Sequence, residues 1–293
     1  MAQQIAFLGL GVMGFPMAGH LAAAGYDVRV YNRTAARAEA WVKTHKGQAM
    51  PTPGAAAADA DFVFACVGNG YDMQEVATGD QGAFHTMKMG AIFVDHTTVS
   101  AEAARSVGEE AARRGLGFLD APISGGEAGA QNGQLTVMVG GNETHFQTVL
   151  PVLKSYARHV GLMGPVGAGQ LTKMVNQICI AGVVEGLAEG LHFARKAGLD
   201  GNAVVDVISK GAAQSWQMEN RSTTMWAGEF DFGFAVDWML KDLGFCLDEA
   251  RRNGAHLPMT ELVDGFYEEV REMGGGRWDT SSLIARLEAL NGK

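Results

Sequence analysis

The apolar run Ile5 to Leu8 leads directly into Gly9-Leu10-Gly11-Val12-Met13-Gly14, and this juncture most limits how the chain can fold. A helical pattern follows from about Val12 to Ala24 and stops at Gly25. Each glycine has a physical task in a strand–turn–helix unit. Gly9 permits the tight turn, Gly11 lets the backbone come close to a pyrophosphate, and Gly14 allows the helix to pack tightly on the strand. The N–H groups opening the helix have no partners of their own and face the phosphate charge. A GxGxxG in this setting is a dinucleotide-binding fingerprint. Gly9, Leu10, Gly11, Val12, Met13 and Gly14 are therefore the first candidate cofactor-binding residues.

Short apolar runs and helical stretches continue to alternate to about residue 160, the signature of βαβ units and a mainly parallel sheet. Strands are expected at Asp27 to Tyr31, Phe62 to Val67, Ala91 to Asp95, Gly117 to Leu119, Leu135 to Val139 and Tyr156 to Val160. Thr34 is placed to cap the helix after the second strand. The pattern leaves open whether the last strands pair parallel or antiparallel. Beyond Val166 strand signals fade. Helices are expected over Gly169 to Lys196, Asp200 to Lys210, Asp237 to Asn253, Pro258 to Met273 and Ser281 to Leu290, with Gly274, Gly275 and Gly276 as a flexible break. The predicted class is α/β: a Rossmann-type doubly wound domain over residues 1–163, then an all-helical domain over 164–293 for substrate binding and oligomerisation.

An NAD site usually carries Asp or Glu at the end of the second strand to hold the ribose hydroxyls. Here that place holds Asn32-Arg33-Thr34. A carboxylate would repel a 2′-phosphate, whereas an arginine between two neutral hydrogen-bonding residues would bind it and stack on the adenine. NADP(H) is the preferred cofactor, with NAD(H) as the alternative. The loop after the Phe62 strand supplies Val67, Gly68 and Asn69 at the sheet edge where parallel strands present a ligand.

The formal net charge of −9 argues against nucleic acid as the main partner, because phosphate neutralisation needs a basic surface. Cys66, Cys179 and Cys246 show no ligand-like spacing, so no metal site is expected, and they read as reduced thiols of a cytoplasmic protein. No apolar run approaches the ~20 residues needed to span a bilayer, so no membrane partner is expected. The apolar stretch from Gly169 to Lys196 offers more surface than one small helical domain needs, and a homodimer or homotetramer is expected.

Four segments in order over essentially the whole chain resemble the β-hydroxyacid dehydrogenase family, which includes 3-hydroxyisobutyrate dehydrogenases, tartronate semialdehyde reductases and glyoxylate/succinic semialdehyde reductases. The first is the glycine-rich turn with Asn32-Arg33-Thr34, most like the NADPH-using semialdehyde reductases. The second, Asp120-Ala121-Pro122-Ile123-Ser124-Gly125-Gly126, is similar to the family's substrate-binding segment; bare backbone N–H groups at Gly125 and Gly126 with the Ser124 hydroxyl suit a carboxylate. The third, from Gly167 to Gln177, resembles the catalytic helix and puts Lys173 on the catalytic lysine. Helical spacing sets Asn176 and Gln177 on the same face as Lys173, as substrate-binding amides. The fourth, Trp238 to Leu243, puts Lys241 near the nicotinamide end of the cofactor with Asp242 as its orienting partner. The resemblance also implies that Thr98 contacts the cofactor and that His96 neighbours the site without acting as acid or base. Phe232 and Trp238 are candidate pocket walls, with packing between helices as the alternative role.

The implied reaction is hydride exchange between NADP(H) and a small carboxylated substrate, a 3-hydroxy acid and its semialdehyde or a related aldehyde acid such as glyoxylate or succinic semialdehyde. Lys173 is the general acid/base. An imine reductase and a non-catalytic dinucleotide-binding module are the rival readings.

Overall fold

The computed structural model describes residues 3–290. The terminal residues of both expected domains, 1, 2 and 291–293, lie outside the described residues. The chain divides into two compact units after Lys173.

The first unit contains β1 (Gln4–Leu8), α1 (Gly14–Ala23), β2 (Asp27–Tyr31), α2 (Ala35–Thr44), β3 (Gln48–Ala49), α3 (Pro53–Ala57), β4 (Phe62–Ala65) and α4 (Gly70–Thr78). It continues through β5 (Ile92–Asp95), α5 (Ala101–Arg113), β6 (Gly117–Asp120), β7 (Ile123–Ser124), α6 (Gly126–Gln131), β8 (Leu135–Gly141), α7 (Glu143–Leu153) and β9 (Ala157–Gly164). The sheet order is β3-β2-β1-β4-β5-β6-β8-β7, with β9 on the other side of β8. From β3 to β6 every pairing is parallel. β8 then runs antiparallel to β6 and β7 and parallel to β9, which answers the question left open by the pattern.

Period-two alternation explains why both faces of this sheet are covered. Ile5, Phe7, Phe62, Phe64, Ile92 and Val94 enter one core with Met17 and Leu21 of α1. Their neighbours Ala6, Leu8, Val63, Ala65 and Phe93 enter a second core with Met73 of α4 and Val107 of α5. Strands buried on both faces read as continuous apolar runs, as these do. Helix starts are set by side chains that accept the first N–H groups: Thr52, Asn69, Ser100 and Asn142 each cap the helix that follows. Thr34 stands at the cap position of α2 with extended backbone, but its side chain makes no capping bond, contrary to expectation.

α8 (Ala168–Lys196) begins in the first unit and ends in the second. The second unit adds α9 (Gly201–Ile208), α10 (Trp216–Ala227), α11 (Val236–Asn253), α12 (Pro258–Val270) and α13 (Leu283–Ala289). Its core joins Val184, Leu187 and Leu191 of α8 to Met218 and Met225 of α10, Met239 and Leu243 of α11, and Val263 and Tyr267 of α12. The expected flexible break is instead a packed turn. Arg271–Gly275 forms a π-helical turn, Gly274 takes φ +88°, and a Cβ on Gly275 would fall 2.4 Å from the Trp278 ring. A ring lying against the backbone leaves that glycine no freedom.

Contrary to the sequence expectation, α8 is long and apolar enough, by length and composition, to cross a bilayer, the one such helix among the described residues. Its Ala181, Val184, Leu187, Ala188 and Leu191 are nevertheless buried in the helical core, where a spanning helix would turn them to lipid.

Candidate active site

The sheet reverses its strand order between β1 and β4, and in open α/β sheets ligands bind at the carboxyl ends of the strands beside that reversal. The glycine-rich turn lies there. Gly9 has φ +98°, and a Cβ on it would sit 2.3 Å from the Cys66 carbonyl oxygen. A Cβ on Gly14 would sit 2.0 Å from the Gly9 carbonyl oxygen, so the turn closes onto α1 only with glycine at both places. A Cβ on Gly11 would meet nothing within 4 Å, and Val12 is exposed: this side of the turn is an open cradle. The arrangement fits a dinucleotide pyrophosphate. Leu10 contributes backbone to the turn, while its side chain lies in the sheet core.

Asn32 braces that turn. Its Oδ1 accepts the Leu10 N–H at 2.8 Å, and its Nδ2 donates to the Thr34 carbonyl. Arg33, 80% exposed in its side chain, pairs with Asp72 of α4 at 2.5 Å. Arg37 was not picked out from sequence; its guanidinium donates to the Leu10 carbonyl at 3.3 Å. The signal was there in its spacing, four residues beyond Arg33 on the first turns of α2. Val67 donates its N–H to Thr97 Oγ1 at 3.1 Å, and Asn69 caps α4 by accepting the Asp72 N–H.

A further turn lies at the same edge of the sheet. Ser124 ends β7 opposite Thr136, near the start of β8. Gly125 and Gly126 follow with φ +129° and +63°, and a Cβ on Gly126 would meet open space. His20 Nε2 is 3.0 Å from the Ala130 carbonyl, which ties the helix after the glycine-rich turn to the helix after Ser124-Gly125-Gly126.

The start of α8 is fixed by residues that sequence reasoning passed over. Asp120, fully buried at the end of β6, accepts the N–H of Gly167 at 2.7 Å on one carboxylate oxygen and that of Gln170 at 2.9 Å on the other. Burial pushes its carboxyl above the ordinary range, and these backbone N–H groups pull against that rise. Gly169 lets the helix approach: a Cβ there would lie 2.5 Å from the Met138 carbonyl oxygen. Gln170 reaches sideways, donating to the Thr97 carbonyl at 2.8 Å and accepting the Val99 N–H at 3.1 Å, on either side of Thr98. Lys173, three residues further along α8, is buried at 8% exposure.

In the second unit, Asn176 donates through Nδ2 to Gln177 Oε1 at 2.8 Å, and Gln177 Nε2 donates to Asp242 Oδ2 at 2.7 Å. Lys241 Nζ lies 3.4 Å from Asp242 Oδ1 and 5.4 Å from the Trp238 ring centre. Phe232 lies under the Arg221 guanidinium. Gln177 is thus already occupied on both ends of its amide.

His96 is enclosed and neutral. Its Nδ1 is 2.6 Å from the Ala121 carbonyl, which makes that nitrogen the N–H, and its Nε2 therefore accepts from the Tyr156 hydroxyl at 2.8 Å. Burial brings its pKa down to about 4. Both ring nitrogens are spent on structural partners. Among the described residues no cluster of His, Cys, Asp and Glu could hold a metal ion.

Comparison with known proteins shows the family to which the chain belongs. Residues 4–164 match the model of the NAD binding domain of 6-phosphogluconate dehydrogenase, and residues 167–287 match that of the NAD-binding domain of NADP-dependent 3-hydroxyisobutyrate dehydrogenase. An uncharacterized oxidoreductase of Shewanella frigidimarina is 64% identical over 97% of this chain and 98% of its own length. The 2-(hydroxymethyl)glutarate dehydrogenase of Eubacterium barkeri is 34% identical over 99% of this chain and 96% of its own. The structure of a Mycobacterium tuberculosis 3-hydroxyisobutyrate dehydrogenase solved with L-serine superposes with a TM-score of 0.89 at 31% identity, covering 98% of this chain and 99% of that one. The chain belongs to the β-hydroxyacid dehydrogenase family and is an NAD(P)-dependent oxidoreductase acting on CH–OH groups.

Proposed function

We propose that the protein reduces a small carboxylated aldehyde with NADPH, and in the reverse direction oxidises the corresponding 3-hydroxy acid, with Lys173 as the general acid/base. The observation that carries this reading is a buried lysine one helical turn beyond a clamped helix start, at the sheet edge that also holds the glycine-rich turn. The relative solved with L-serine, itself a 3-hydroxy acid, supports the substrate class.

The bound nicotinamide supplies hydride to the substrate carbon, or accepts it in the reverse direction. The protein's share is to move one proton and hold the substrate. In reduction the Lys173 ammonium donates a hydrogen bond to the carbonyl oxygen and gives up its proton as negative charge develops there. In oxidation the neutral amine takes the hydroxyl proton. Ser124 with the N–H groups of Gly125 and Gly126 holds the carboxylate, and Asn176 fixes the rest of the substrate. The occupied amide of Gln177 gives it the task of orienting Asn176. Val67, Gly68, Asn69 and Thr98 would hold the cofactor, and the family resemblance gives Lys241 the same role.

Preference for NADP(H) rests on Arg33 and Arg37, which follow the end of β2 where an NAD enzyme would carry a carboxylate. We assign residues 1–163 to cofactor binding and 164–293 to substrate binding and self-association, in a cytoplasmic protein none of whose three cysteines forms a disulfide. An exposed strip along α8, formed by Cys179, Val183, Gly186, Gly190 and Phe193, supports a homodimer or homotetramer. The deciding experiment follows NADPH and NADH consumption with glyoxylate, succinic semialdehyde, tartronate semialdehyde and methylmalonate semialdehyde. Turnover of at least one with NADPH is expected; turnover of imines and none of the aldehyde acids would overturn the reading.

A further inference from the structure

We propose that Gln170 is a positioning residue for the proton transfer, its side-chain amide setting the distance between the loop that carries Thr98 and the helix turn that carries Lys173. The inference rests on the reading of Lys173 as the acid/base.

Gln170 is 1% exposed and held at both ends. Its backbone N–H is fixed by Asp120, and its amide grips the two backbone groups that flank Thr98, the Thr97 carbonyl and the Val99 N–H. Only an amide of this length offers a donor and an acceptor together to such a pair. Thr97 is fixed in turn: its N–H donates to Asp95 Oδ1 at 3.0 Å, and its Oγ1 accepts the Val67 N–H. A continuous chain of hydrogen bonds therefore runs from the loop after β4, through the loop after β5, into the first turn of α8.

On the other side the helix start has no slack. Gly169 lies against the Met138 carbonyl, and a Cβ on Gly140 would fall 2.4 Å from Asp120 Oδ1. Loss of the amide would thus release the loop rather than the helix. Because Lys173 is three residues on, its side chain leaves the same face of α8 as Gln170. Hydride and proton must be delivered to adjacent atoms of one substrate, so an error of about 1 Å between their carriers costs on the order of 10²-fold in rate. Both polar ends of the Gln170 amide are engaged by backbone, which leaves it no part in holding substrate.

The test uses Gln170→Met, which keeps length and removes both hydrogen bonds, and Gln170→Glu, which keeps the acceptor and loses the donor. Each is measured for NADPH affinity by fluorescence, for kcat and KM with the fastest aldehyde acid of the panel, and for the isotope effect on kcat with NADPH deuterated at the transferred position. Amide exchange is followed at Val99. The expected result is a kcat lower by about 10²-fold with NADPH affinity and KM changed by no more than about 3-fold. An enlarged isotope effect and faster exchange at Val99 accompany it. Unchanged kcat would overturn the proposal. So would a fall in kcat matched by an equal loss of NADPH affinity with the isotope effect unaltered. If Gln170→Met does not fold, Gln170→Glu decides by the same criteria. Lys173→Met run alongside separates the two readings: an inactive Lys173→Met with a fully active Gln170→Met sinks the positioning role alone, and an active Lys173→Met sinks both.

Discussion

The Gln177 amide donates to the buried Asp242 carboxylate at 2.7 Å, and the same carboxylate lies 3.4 Å from the Lys241 ammonium. A charge taken out of water is tolerated only when it is paired and hydrogen-bonded, and Asp242 meets both conditions. One residue therefore holds two groups assigned to the reaction: Lys241 directly, and Asn176 through Gln177.

Replacing Asp242 with Leu leaves the Gln177 donor buried without its acceptor, at a cost of about 1–3 kcal/mol. Chemical denaturation should show a loss of that size. KM for the aldehyde acid should rise as Asn176 loses its orientation. Asp242→Asn keeps an acceptor and should recover most of the stability, but not the charge beside Lys241. Equal stability in wild type and Asp242→Leu would contradict the pairing.

The exposed Arg33–Asp72 pair is worth little as a structural link, because solvent screens it and long side chains lose freedom to make it. Arg33 is thus cheaply released to a 2′-phosphate. A charge-assisted bond to that phosphate contributes about 1.5–3 kcal/mol, so Arg33→Ala should weaken NADPH by roughly 10- to 100-fold. Affinity for NADH should hardly change. Titrating both nucleotides against wild type, Arg33→Ala and Arg37→Ala checks this, and equal losses for NADPH and NADH would remove the basis for the NADP(H) preference.

His96 and Glu185 make the two ends of the pH range unequal. Burial brings the His96 pKa from its ordinary 6.5 down to about 4 in the folded protein, so its contribution is complete above about pH 6.5 and is lost as pH falls toward 4. The full loss is on the order of 3 kcal/mol. Glu185 of α8 has both carboxylate oxygens buried without hydrogen-bond partners, and burial with Glu189 nearby raises its pKa to about 7. Its folded form prefers the proton, so its contribution is complete below about pH 4.5 and is lost as pH rises through 7. Thermal unfolding of His96→Gln should show a flatter acid limb, and Glu185→Met should gain a few degrees at pH 8.5 but not at pH 5. A Glu185→Met melting temperature that shifts equally at both pH values would count against the buried carboxylate.

Phe193 is 71% exposed on the α8 strip. Glutamate there places charge in an apolar contact between copies, so Phe193→Glu should convert the oligomer to smaller species by light scattering, with little effect on folding. Identical masses for the two proteins would exclude this strip as the contact.

Much of the first unit was legible because its strands are doubly buried and its turns need glycine, both of which leave local marks. Phe62 to Ala65 and the glycine-rich turn are examples. α10 escaped notice because its sequence, Trp216 to Ala227, is largely polar and buries little beyond Met218, Ser222 and Met225. β3 and β7, at two residues each, are too short to show a period. In the candidate site, Lys173, Ser124 and Asn176 were proposed by resemblance, whereas Asp120 and Gln170 act on partners 47 to 73 residues away. No local pattern records such a partner.

The capping of α8 by Asp120 has a consequence for how the chain folds. The first turn of that helix, ordinarily closed by a neighbour in sequence, here waits for a carboxylate delivered at the end of a sheet strand. Contacts so far apart form only after the intervening chain has closed a loop. A peptide of residues 168–196 alone should fray at its start while its later turns wind, and during synthesis the lysine-bearing turn is set only once the sheet beneath it exists.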